Sequence, residues 1–296
     1  MHSAPSHTGE EARSRYVAFT FDDLPSTQGY APYVIQNITE KLTRHHVPAI
    51  GFVNESKLYT DGRIDTTKVA WLELWLNSNL DLGNHSYSHI GIDDVSLDDY
   101  KADVLKGEKI IKQLLKERGK TLTYYRHTQL RTGPTPESKK ELEKFLRENG
   151  YKVAPVTLDN NDYIFANLYE RSKGNKDTVM MNYVGMEYLK YMELIVKHFE
   201  QVSIDFLGYE VKQTLLLHAN ALNADYLEGL IQLFQKRDYA FISLDDALKD
   251  PAYQLEDAPS KKGLSWLHRW MLAKNLEIRP EPLEPERINQ LSKEYR

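Results

Sequence analysis

At 296 residues, 41% of them hydrophobic and 27% charged, the chain has room for one large α/β domain or two ordinary ones with a sizeable core. A net charge of -5 and a pI near 6.1 exclude the basic footprint of a nucleic-acid-binding protein, and no apolar run is long enough to span a bilayer. Cysteine is absent, so disulfides, thiolate ligands and a cysteine nucleophile are excluded together, and any metal must be held by His, Asp or Glu.

Residues 1–14 carry no apolar stretch and read as a flexible leader, the remnant of a removed signal peptide. That reading favours a secreted or periplasmic protein, with a cytoplasmic one as the alternative. The first apolar run, Tyr16 to Phe21, ends in Asp22-Asp23, and a helix follows over Pro32 to His46, with Val34, Ile35, Ile38 and Leu42 at helical spacing. Ala49 to Val53 is the next run, followed by a helix around Trp71, Leu72, Trp75 and Leu76. Leu80 to Asn84 is the third, ending at His85-Ser86-Tyr87-Ser88-His89, and Leu97 to Arg118 then reads as one helix stopped by Gly119.

Leu122 to Tyr125 is a fourth candidate strand. Pro136 sits where a first helical turn tolerates it, opening a helix to Glu148 that stops at Asn149-Gly150. Lys152 to Leu158, Thr214 to Ala219 and Ala240 to Leu244 complete the runs, with a helix over Asn223 to Lys236. Strand and helix in alternation predict a parallel sheet covered by helices. About seven such units without a Gly-rich dinucleotide fingerprint favour a (β/α) barrel, distorted or incomplete, over a doubly wound sheet. Residues 163–208 break the rhythm and read as a helical insertion before the sixth strand. The expected organisation is therefore a leader, a catalytic domain over 15–250, and a tail over 251–296 pinned by Trp266-Leu267 and Trp270-Met271.

The chemically loaded residues fall at the C-terminal ends of the runs, the face on which barrels of this kind build sites. An Asp-Asp pair alone is a commonplace strand-end turn, and His-x-x-x-His alone is moderate evidence. Together, at two separate strand ends, they offer two imidazoles and a carboxylate for one divalent cation, with a second carboxylate left over to act on water. Later strand ends add Tyr125-Arg126-His127, Asp159-Asn160-Asn161-Asp162-Tyr163 and His218-Ala219-Asn220.

In that order and spacing the chain resembles the polysaccharide deacetylases, the NodB-like family 4 carbohydrate esterases. Thr20-Phe21-Asp22-Asp23 resembles the first of the family's ordered motifs and His85 to His89 the second. Arg126 matches the arginine of the third, Asp159 to Tyr163 resembles the fourth, and Leu215-Leu216-Leu217-His218 the fifth. The resemblance implies that Asp23, His85 and His89 are metal ligands. Zinc is the default ion, and cobalt or another first-row metal is compatible with the same set. It implies Asp22 as general base, Arg126 as the partner that orients it and keeps it ionised, and His218 as general acid with its tautomer set by Asp162.

One departure stands out. The family's third motif places a proline two residues after the arginine, where this chain has Thr128, so the backbone N–H of Gln129 is left to serve the oxyanion from a less rigid loop. Tyr163 stands where the family prefers tryptophan. Gln129, Tyr163 and Asp159 are the candidate substrate contacts.

The implied partner is an acetylated glycan, with no nucleic acid and no membrane span. The implied activity is metal-dependent removal of acetyl groups from N- or O-acetylated carbohydrates. Two other readings remain open: a same-fold amidohydrolase acting on a small C–N substrate, and a glycan-binding descendant with impaired catalysis. His45, His46 and His198 lack partner spacing and read as surface or packing residues. The Trp71/Trp75 pair reads as core, and Trp266/Trp270 as core or an exposed sugar platform.

Overall fold

The computed structural model describes residues 15–294. The leader expected at 1–14 lies outside them. In chain order the elements are β1 (Arg15–Leu24), α1 (Ala31–Arg44), β2 (Ala49–Val53), β3 (Tyr59–Thr60), β4 (Arg63–Ile64), α2 (Thr66–Asn77), β5 (Asp81–Asn84), α3 (Leu97–Lys106), α4 (Lys109–Lys116), β6 (Tyr124–Tyr125), α5 (Pro136–Glu148), β7 (Lys152–Val153), α6 (Asp162–Gly174), α7 (Thr178–Leu207), β8 (Gln213–His218), α8 (Ala221–Lys236), β9 (Tyr239–Phe241), α9 (Leu244–Ala247), α10 (Trp266–Ala273) and α11 (Glu286–Glu294).

Seven strands form one parallel sheet in the order β7-β6-β5-β2-β1-β8, with β9 beside the start of β1. The sheet curls. The chain leaving β7 reaches β8 through a parallel bridge between Leu158 and Leu215, which brings the two edges of the half-barrel together. β1, paired with β2, β8 and β9, is buried from Val17 to Asp22, as expected of a strand covered on both faces. Helix α1 seats Val34, Ile35, Ile38 and Leu42 on the core, all fully buried.

The helical insertion is the pair α6 and α7, whose aromatic faces meet through Phe165 with Tyr188 and Tyr191. Two local expectations are corrected. The hairpin β3–β4 carries no apolar alternation and was not foreseen. The single helix expected over 97–118 is two, α3 and α4, broken at Gly107-Glu108.

The break has a steric cause. A Cβ on Gly107 would lie 2.4 Å from the carbonyl carbon of Ser86 and 2.5 Å from the nitrogen of Tyr87. Only glycine lets the segment pass this close to the loop after β5. The new N-terminus of α4 is capped by the buried Glu55, whose Oε1 accepts from the amides of Ile110 (2.6 Å) and Ile111 (2.8 Å).

Candidate active site

Register aligns the loaded strand ends. Asp22 lies opposite His218 across β1 and β8, Val53 opposite Asn84 across β2 and β5, and Asn84 opposite Tyr125 across β5 and β6. His85 and Arg126 therefore leave neighbouring strands at the same level. Successive strand residues would normally face opposite ways. A register shift between Phe21 and Leu24, with Asp23 at φ 70°, brings both carboxylates to one side. Asp22 Oδ2 and Asp23 Oδ1 lie 3.7 and 3.9 Å from the same His85 Nε2.

The loop after β5 is tied down by its neighbours. Asn84 Oδ1 accepts from the Ser86 amide (2.7 Å), and Asn54 Nδ2 donates to the His85 carbonyl (2.6 Å). The Asp103 carboxylate of α3 accepts from the amides of Tyr87 and Ser88. Ser86 and His89 adopt positive φ, backbone strain of about 1–3 kcal/mol per residue that persists because these bonds over-determine it.

One atom each from Asp23, His85 and His89 lies within 4.8 Å of the others, the one such trio among the described residues. His89 Nε2 is 3.6 Å from Asp23 Oδ1. That oxygen is buried and accepts no hydrogen bond among the described residues. His85 Nδ1 donates to the Arg126 carbonyl at 2.9 Å, which leaves Nε2 unprotonated on the site side. Burial pushes both imidazoles down to about 4. Asp23 is partly exposed, and against the desolvation it suffers Lys57 and His89 hold it below the usual carboxylate range. Neutral imidazoles beside an ionised carboxylate are the donor states a divalent cation requires, so these residues fit one. Lys57, from the turn after β2, was not foreseen as a site residue. Its Nζ donates to the Asp23 carbonyl (3.1 Å) and lies 3.5 Å from Asp23 Oδ1.

Asp22 is nearly fully buried, and burial pushes it up to about 6 against the pull of Arg126. Arg126 is itself fully buried, yet its Nε stands 3.9 Å from Asp22 Oδ1, too far for a hydrogen bond. Its closest polar contact is the Thr20 hydroxyl (2.8 Å), and its guanidinium lies 4.7 Å from the centre of the Phe52 ring. A buried ion pair at 3.9 Å, not a hydrogen bond, couples it to Asp22.

Across the site His218 Nδ1 meets Asp162 Oδ1 at 2.6 Å, and the His218 amide donates to Asp162 Oδ2 at 2.9 Å. Burial would lower the imidazole, but Asp162 outweighs it and raises His218 to about 10. Asp162 is held by Asn223 Nδ2 (2.6 Å), and Asn223 by the Tyr188 hydroxyl of the insertion (2.6 Å). Neither Asn223 nor Tyr188 carried a sequence signal beyond helical pattern.

Asp22, Asp23, His85, His89 and His218 border a cavity of about 590 Å³ whose walls include Gln129, Asp159 and the half-exposed Tyr163. Lys262, Gly263 and Glu281 from the C-terminal segment also line it, and no motif marked them. Burial and the neighbouring Glu281 push Asp159 up to about 7. His127 neither enters the cavity nor faces solvent. It is buried, 6.4 Å from the Trp266 ring and stacked on it. Trp266 and Trp270 are both buried, which removes the sugar-platform reading. The Gln129 amide has no hydrogen-bond partner among the described residues.

Residues 9–154 match the family model for polysaccharide deacetylase. No curated protein matches the chain. Among solved structures, a mutant of a Bacillus anthracis protein described as a CE4 family pseudoenzyme aligns with a TM-score of 0.54 at 14% identity, over 79% of this chain and 67% of its own. A peptidoglycan N-acetylglucosamine deacetylase aligns at 0.52 and 18% identity, over 85% and 92%. A peptidoglycan deacetylase from Bacillus subtilis aligns at 0.50 and 18%, over 80% and 92%. At these identities the likeness is one of fold: the curled parallel sheet with surrounding helices is that of the family 4 carbohydrate esterases. The stretch similar to the polysaccharide deacetylase family, residues 9–154, carries β1 through β7 and is just under half of the chain.

Proposed function

We propose that the chain is a metal-dependent deacetylase that removes acetyl groups from N- or O-acetylated carbohydrates. The carrying observation is that one cavity of about 590 Å³ is bordered by the Asp23, His85, His89 trio, a second buried carboxylate and a carboxylate-paired imidazole. Asp23, His85 and His89 would hold the ion, with zinc the default. Bound there, a divalent cation polarises a carbonyl and lowers the pKa of water.

The side chains supply the proton transfers. Asp22, raised by burial to about 6, is close enough to neutral to accept the proton of the attacking water. The tetrahedral carbon's oxyanion takes the unpartnered Gln129 N–H as a donor. His218, a cation at neutral pH with Nδ1 engaged by Asp162, gives its Nε2 proton to the leaving nitrogen or oxygen. The C–N or C–O bond breaks, and acetate and a free amine or hydroxyl leave. Arg126 biases Asp22 towards its ionised form through charge. Tyr163 and Asp159 line the cavity as sugar contacts.

Acetate release from acetylated oligosaccharides tests this reading. Chelation should abolish release and added zinc or cobalt restore it, while Asp22→Asn should keep the fold and metal affinity and lose about 10²–10⁴ in kcat. Turnover that survives chelation, or a fully active Asp22→Asn variant, refutes it. Sugar binding without acetate release from metal-loaded protein would instead identify a glycan-binding descendant, and turnover of small amides alone a same-fold amidohydrolase.

A further inference from the structure

Arg269 of α10 is fully buried and has no ion-pair partner among the described residues. A guanidinium kept from water, with the Asp257 and Asp159 charges acting only from beyond ion-pair distance, is costly, so its bonds should show what it is for. Nε donates to the Leu264 carbonyl (2.9 Å), Nη1 to the Thr132 hydroxyl (2.9 Å) and Nη2 to the Leu130 carbonyl. Its plane lies over Trp266, 4.1 Å from the ring centre. Two of the three acceptors belong to the loop that follows Arg126.

That loop is strained. Gln129 and Leu130 are consecutive non-glycine residues at φ 54° and 53°. Its own backbone offers little support: the Leu130 amide reaches His127 and the Arg131 amide reaches Thr128. The rest comes from outside. Thr132 and Ser260 exchange backbone and hydroxyl bonds at 3.1 Å, and a Cβ on Gly263 would sit 3.5 Å from the Gln129 carbonyl.

We infer that Arg269 is a positioning residue, fixing the Gln129–Leu130 turn so that the Gln129 N–H stays available to the oxyanion. The inference rests on the deacetylase reading for its consequence in catalysis and on the C-terminal segment for its geometry. A guanidinium suits the task because its planar fork reaches three separated acceptors at once, which an ammonium cannot do.

The test compares Arg269→Met and Arg269→Lys with the unaltered protein by amide hydrogen exchange, divalent-metal affinity and acetate-release kinetics. Exchange at Leu130 and Arg131 should quicken by about tenfold or more. kcat should fall by about tenfold to a hundredfold with KM held within about threefold, and metal affinity should not change. A folded Arg269→Met variant with unchanged exchange at the turn, or with unchanged kcat, overturns the inference. If Arg269→Met does not fold, Arg269→Lys decides by the same readouts. It keeps the charge and most of the volume but cannot span the three acceptors. Faster exchange in a protein that never releases acetate leaves the brace in place and refutes the deacetylase reading instead.

Discussion

The 2.6 Å contact between His218 and Asp162 sets how far the site can run into alkali. With Asp162 ionised, His218 stays protonated until the pH rises through about 10, so the acid is lost only above that. Asp162→Asn removes the charge that outweighs burial, and burial alone lowers a histidine. The alkaline limb of kcat/KM should therefore move down by several pH units, with activity falling above about 7. An unmoved limb would remove His218 as the acid.

Lys57 gives a second residue-scale test. Its ammonium lies 3.5 Å from the oxygen offered by Asp23, so it opposes any divalent cation held there. Lys57→Met should tighten zinc binding by about tenfold in competition with a chromophoric chelator. Weaker binding would mean that the lysine instead orients Asp23. Strand-end carboxylates and imidazoles were legible because their types and positions carry the chemistry. Lys57, Asn223 and Arg269 were not, because each acts through a partner 34 to 139 positions away in the chain.

At the scale of elements, short strands and one glycine decide where the site residues stand. β6 and β7 are two residues each, too short for periodicity to bound them, although the apolar runs containing them were visible. The helical pattern over 97–118 was genuine on both sides of Gly107, and nothing local to it reveals the Ser86–Tyr87 backbone pressed against that glycine. Gly107→Ala should lower stability by about 1–3 kcal/mol through overpacking, and it should weaken metal binding because the displaced loop carries His85 and His89. Thermal unfolding and zinc titration read the two effects, and an unchanged metal affinity would uncouple the α3–α4 break from the site. The turn between Phe21 and Leu24 could not be foreseen either. A regular strand would have sent Asp22 and Asp23 to opposite faces, and only the register shift with positive φ brings them together.

Across the whole molecule, the barrel presents its strand ends to one cavity, and the C-terminal segment walls that cavity with Lys262, Gly263 and Glu281. The alternation of runs made the sheet and its helical insertion readable. The part played by the tail was not, because Arg269 meets the loop after Arg126 at the Leu130 carbonyl and the Thr132 hydroxyl, acceptors more than 130 positions away that belong to no motif. His198 and His268, with ring centres 5.8 Å apart and His268 Nδ1 3.1 Å from Glu281 of the cavity wall, form a second imidazole and carboxylate grouping. Anomalous diffraction at the zinc edge from a crystal of the zinc-loaded protein separates the two directly. One peak about 2.0–2.3 Å from Asp23, His85 and His89 is the predicted result; a peak only beside His198 and His268, or none near the trio, would contradict the account.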